Sequence, residues 1–86
     1  MKEITMMILN DCPHCRRAAK MIEALKEKHP EYKDIVIHAY DENEHPEISK
    51  QFEYYYVPSM FIDGKKLLEG VPSFEAVEAV LKAALD

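Results

Sequence analysis

Cys12 and Cys15 are the only cysteines of this 86-residue chain, and they stand three positions apart in Cys12-Pro13-His14-Cys15. An apolar run, Ile4 to Leu9, precedes them and a helix-patterned segment follows. That order puts Cys12 at the start of a helix, where unpaired backbone N–H groups and the macrodipole favour a negative charge. A thiolate is such a charge, and it is the reactive form of cysteine. The chemistry this spacing suits is thiol–disulfide exchange. One thiolate attacks a substrate disulfide, and a second thiol one helical turn on resolves the mixed disulfide. By position, Cys12 is the attacker and Cys15 the more buried resolver. His14, on the same first turn, is expected to bring its imidazolium towards Cys12 and favour the thiolate, with Arg16 and Arg17 adding positive charge nearby. The alternative chemistry is metal binding or delivery. Cys12 and Cys15 with His14 would hold Zn²⁺ or Cu⁺, or an iron–sulfur cluster shared across a dimer. A structural zinc site takes four ligands, and no second Cys/His cluster stands at ligand spacing, so exchange is favoured over metal.

Positioning these thiols takes a strand and a helix. Ile4-Thr5-Met6-Met7-Ile8-Leu9 is apolar on both alternating faces, as a central strand covered by helices should be. Asn10 and Asp11 close it, and Pro13 suits the first helical position, where a missing N–H costs nothing. Ala18, Met21, Ile22 and Leu25 then recur at helical spacing, with Arg17, Lys20, Glu23 and Lys26 outward, until Pro30 stops the helix. Ile35 to Tyr40 reads as a second strand, Asp41 to His45 as polar loop, and Pro46 to about Phe52 as a short helix. Met60 to Ile62, Asp63-Gly64 and Lys65 to Leu68 form a hairpin signal, because Asp-Gly suits a two-residue turn. Gly70 ends it. Ser73 is the expected N-cap of a last helix that carries Phe74, Val77, Val80, Leu81, Ala84 and Leu85 inward. The result is one α/β domain over residues 1–86, β-α-β-α-β-β-α, with a parallel first pair of strands and an antiparallel hairpin.

Composition narrows the function classes. Hydrophobic residues make up 48% and charged residues 31%, which describes a folded globular domain. The net charge of −5 comes without a basic block, which argues against a nucleic-acid partner. No apolar stretch approaches the ~20 residues of a membrane span, and no small-residue cleavage site precedes the cysteines. Two cysteines without a secretory signal fit a reducing cytoplasm and a catalytic pair. Tyr54, Tyr55 and Tyr56 are candidates to line a groove beside Cys12, with at least one of them packing. His29, His38 and His45 read as surface residues, and Glu42, Glu44 and Glu47 as a solvated face.

Cys-Pro-x-Cys after a first strand, the pair Val57-Pro58, the run Met60 to Lys65 and a closing amphipathic helix together resemble glutaredoxins and small glutaredoxin-like thioredoxin-fold proteins. The resemblance covers essentially the whole chain. It implies a thioredoxin-like fold, a four-stranded mixed sheet flanked by three helices, with Pro58 in a cis peptide facing the dithiol. It also implies that Val57 offers main-chain N–H and C=O groups to glutathione or a peptide, with Pro13 and Pro58 beside it. The implied activity is reduction of protein or low-molecular-weight disulfides by a monomer without a bound cofactor. Electrons would come from glutathione as co-substrate or from a thioredoxin-reductase-type flavoprotein. Glutathione-using members carry a Lys before the motif, a Tyr inside it and a Gly-rich segment followed by Asp. Here Asn10-Asp11, His14 and Glu69-Gly70-Val71-Pro72-Ser73 stand in those places. The N–H groups of Ser73 and Phe74, opening the last helix, remain suited to a carboxylate.

Overall fold

Four strands form the sheet of the computed structural model, which describes residues 1–86: β1 (Ile4–Ile8), β2 (Ile37–Asp41), β3 (Ser59–Ile62) and β4 (Lys65–Glu69). Their order is β2-β1-β3-β4, so the strand that is apolar on both faces lies inside the sheet. β1 pairs parallel with β2, Ile4 opposite Ile37 and Ile8 opposite Asp41. It pairs antiparallel with β3, Met6 opposite Met60, and β3 turns back antiparallel into β4. Asp63 and Gly64 take positive φ of 52° and 81°, the backbone that a two-residue hairpin matching strand twist demands. Three helices complete the fold, α1 (Pro13–Lys28), α2 (Pro46–Ser49) and α3 (Phe74–Ala84). This is the thioredoxin-like architecture expected from the resemblance.

The main core lies between one sheet face and the two longer helices. Ile4 and Met6 of β1, Met60 and Ile62 of β3, and Leu68 of β4 meet Ala18, Ile22 and Leu25 of α1 and Val77, Val80, Leu81 and Ala84 of α3. The opposite face buries Met7, Ser59 and Phe61. The chain after α2 covers that side, with the Phe52 ring 4.5 Å from Phe61 and the Tyr54 ring 6.0 Å from it.

Several local expectations are corrected. The second strand starts at Ile37, not Ile35, because Pro30–Tyr32 adds a 3₁₀ turn that directs Ile35 into the core. The Ile35 N–H closes that turn on the Tyr32 carbonyl at 3.2 Å. Lys26, read as outward, donates its Nζ to the Ile35 carbonyl at 2.7 Å and ties α1 to the same segment. α2 stops at Ser49, so Phe52 packs from a bend, not from a helix. Phe74 (52% exposed) and Leu85 (36%) face outward, since each lies at an end of α3 beyond the stripe set by Val77, Val80, Leu81 and Ala84.

Candidate active site

Cys12 is the N-cap of α1. Its backbone is extended (φ −93°, ψ 113°), Pro13 occupies the first helical turn, and no acidic side chain stands in that turn. No carboxylate within the first turn therefore competes with the Cys12 thiolate for the helix start. Its Sγ accepts the Cys15 N–H at 3.3 Å and lies 3.8 Å from the Val57 carbonyl oxygen. Cys12 is half-buried and Cys15 is buried, 5% exposed; both are free thiols.

Their environments push the two thiols apart. Partial burial opposes ionisation of Cys12, but hydrogen bonds from the Cys15 side chain and from the Cys15 and His14 N–H groups outweigh it. The Arg16 guanidinium acts in the same direction, and the balance sits below the ordinary thiol value. Burial pushes Cys15 up to about 12, and its hydrogen bond to Cys12 and the charges of Cys12 and Glu42 add to that. Cys12 is thus the more readily ionised sulfur, while Cys15 holds its proton.

His14 departs from expectation. Its Nδ1 is hydrogen-bonded to Arg17 Nη2, and its main-chain N–H, not its ring, is what favours the Cys12 thiolate. Residues three apart share a helix face, and a long side chain leans back towards the helix N-terminus, so Arg17 meets the imidazole. The positive charge at the thiol comes from Arg16 instead.

Of the residues implied by resemblance, the structure brings Val57 against the Cys12 thiol. The Val57-Pro58 peptide is cis, and the Val57 carbonyl faces Cys12. Ser73 caps α3, its Oγ accepting the Ala76 N–H at 3.1 Å. Tyr54 packs and donates its hydroxyl to Glu42 Oε1 at 2.9 Å, whereas Tyr55 and Tyr56 are 91% and 69% exposed. A cavity of about 370 Å³ opens beside Cys12, lined by Leu9, Asn10, Asp11, Asp41, Asn43 and Glu44. A larger groove of about 670 Å³, bordered by Phe52, Tyr54, Tyr55 and Lys66, contains neither cysteine. No group of three or more His, Cys, Asp or Glu side chains comes together to hold a metal ion. His38 pairs with Glu3 and His45 with Glu47 on the surface, at 2.5 and 3.2 Å.

Two carboxylates near the site escape the sequence pattern. Glu42, expected on a solvated face, is half-buried and acts on Cys15. Asp41, buried at the end of β2, accepts the N–H of Asn10 at 2.7 Å on one oxygen and those of Asn43 and Glu44 at 2.7 and 3.2 Å on the other. It thereby ties the segment leading into Cys12 to the turn after β2. The available signal was an acid directly ending a strand that pairs parallel with the strand before the motif. Burial works against its charge, but the three N–H groups and His45 prevail and its carboxyl sits below the usual range.

A depressed carboxyl pKa contributes stability that is complete above the unfolded value of about 4 and is lost as pH falls through the lower folded value. Asp41→Asn keeps one acceptor oxygen and turns an NH₂ towards main-chain donors. The variant should be less stable than wild type at pH 7 in urea titration, with the gap narrowing at an acid pH below the lowered folded value. An equal gap at both pH values would show that Asp41 holds the segment without its charge.

Comparison with known proteins agrees with this architecture. Residues 2–82 match the family model described as Thioredoxin domain. No curated protein sequence matches. The fold is shared with oxidised thioredoxin from Plasmodium falciparum, at TM-score 0.71 and 18% identity over 98% of this chain and 81% of that one. It is also shared with thioredoxin 1 from Thermosipho africanus, at TM-score 0.61 and 17% identity over 98% and 99% of the two chains. A protein disulfide oxidoreductase from Aeropyrum pernix is 29% identical over 95% of this chain at TM-score 0.66, and the match spans 37% of that chain. With its dithiol at the start of α1 and a family match over nearly its whole length, the chain belongs to the thioredoxin-domain family.

Proposed function

We propose that the chain is a glutaredoxin-like thiol–disulfide oxidoreductase that reduces protein or low-molecular-weight disulfides. The observation that carries this is the asymmetry of the pair. Cys12 Sγ rests on a helix-start N–H, 3.8 Å from the Val57 carbonyl, while Cys15 is buried one turn behind it. Cys12 thiolate attacks one sulfur of the substrate disulfide, and the other sulfur leaves as a thiolate and takes a proton. Cys15 then gives up its proton, attacks Cys12 Sγ and releases the second substrate thiol. Two electrons pass to the substrate and a Cys12–Cys15 disulfide remains.

Two molecules of glutathione, or a thioredoxin-reductase-type flavoprotein, would return those electrons. Val57 and Pro58 would line the substrate's main chain beside Pro13, and the α3 start at Ser73 would receive a carboxylate. The protein would work as a monomer in the cytoplasm, with no bound cofactor. Kinship with the Aeropyrum pernix protein disulfide oxidoreductase supports the reaction class. An NADPH-coupled assay tests the proposal, run once with glutathione and glutathione reductase and once with thioredoxin reductase. Oxidation of NADPH supported by one system assigns the donor; none in either system, with peptide and glutathione disulfides both supplied, would overturn it.

A further inference from the structure

We propose that Glu69 is a positioning residue for disulfide exchange, clamping the Tyr55–Tyr56 turn so that Val57 presents open main-chain groups beside Cys12. This rests on the oxidoreductase reading above. Glu69 ends β4 opposite Ser59, which starts β3 directly after Pro58. Its Oε2 accepts the main-chain N–H of Tyr55 at 2.5 Å and of Tyr56 at 2.9 Å. Its Oε1 accepts Lys66 Nζ at 2.6 Å, so rotating the carboxylate away from the amides breaks an ion pair as well. Successive N–H groups converging on one point form a concave anion site, and here the protein fills it with its own side chain, 19% exposed.

Two further bonds complete the arrangement. Ser59 Oγ donates to the Tyr56 carbonyl at 2.5 Å, and the Gly70 N–H donates to the Pro58 carbonyl at 2.9 Å. The polar groups flanking Val57 are thus committed internally. The Val57 N–H has no partner, and its carbonyl meets only the Cys12 thiol. Apolar packing does not hold this turn, because the rings of Tyr55 and Tyr56 project into solvent. The carboxylate takes over what a buried side chain would otherwise do. Its hydrogen bonds to Lys66, Tyr55 and Tyr56 hold its pKa down to about 2, so the clamp is charged at every pH at which a thiol exchanges.

Freeing the turn makes each substrate order it anew. For one or two backbone residues that corresponds to about a 5- to 30-fold rise in KM. The test measures reduction of a fluorescent peptide disulfide with dithiothreitol as reductant, and amide hydrogen exchange, on the full chain. Glu69→Ala should raise KM by that factor, leave kcat within about twofold and leave the Cys12 thiolate titration unchanged. Glu69→Gln keeps an oxygen for both amides and should restore most of the KM. The Tyr55 and Tyr56 amides should be protected in wild type and in Glu69→Gln, and exchange freely in Glu69→Ala. Rapid exchange of those amides in wild type, a reading that needs no variant to fold, would overturn the clamp. A wild-type KM in Glu69→Ala, or equal loss of KM and kcat function in both variants, would overturn it too. Absence of exchange with any disulfide in wild type would sink the oxidoreductase reading instead, while amide protection would still report on the clamp.

Discussion

Cys12→Ser is expected to abolish disulfide reduction, lowering kcat/KM by about a thousandfold or more with every disulfide offered. The loss follows from chemistry, not from folding. Serine keeps an oxygen at the N-cap of α1 that accepts the Cys15 N–H, and serine is among the preferred residues there. The helix start therefore persists, and thermal stability should stay close to wild type. What disappears is a group that ionises below the ordinary thiol range beside an open main-chain carbonyl. Cys15 cannot substitute for it, being buried and holding its proton up to about 12. Steady-state kinetics against a peptide disulfide, with circular dichroism as the folding control, checks this. Activity retained within tenfold would move the attack elsewhere.

Cys15→Ser has an equally large effect on turnover but a different signature. The attack step survives, since Cys12 keeps the His14 N–H, the Cys15-position N–H and Arg16. Resolution fails, because an alkoxide at this buried position is far less accessible than a thiolate. One equivalent of substrate should remain bound per chain as a mixed disulfide on Cys12, seen as a mass increase that dithiothreitol reverses. Turnover should then fall about a hundredfold or more unless another thiol resolves the intermediate. A mass increase in Cys12→Ser, or none in Cys15→Ser, would reverse the assignment of the two roles.

Much of the scaffold was legible because it depends on local rules. Ile4 to Ile8, apolar on both faces, could only be interior to a sheet, and Asp63-Gly64 demanded a tight hairpin. Pro13 and Ser73 marked two helix starts, and one turn of α1 fixed the relation of Cys12 to Cys15. What escaped depends on contacts distant in sequence or on side-chain direction. Asp41 reaches Asn10 across 31 positions, and Glu69 reaches Tyr55 across 14, so no periodicity announces either. Glu42 looked solvated among other acids, yet the end of β2 turns it inwards towards Tyr54 and Cys15. His14 stood in the right turn, but Arg17 on the same helix face took its ring. Phe74 and Leu85 fitted the apolar composition of α3 but not its stripe, and helix ends are where that distinction is weakest.

The central claim is that the fold separates the two thiols into an ionised attacker and a protonated resolver. Thiolate absorbance followed against pH in wild type and Cys12→Ser tests it directly. Wild type should show one thiol ionising below the ordinary thiol value, then no further ionisation until the approach to about 12. Cys12→Ser should lack the early step. Two thiols titrating together near the ordinary value, or an early step that survives in Cys12→Ser, would contradict the account.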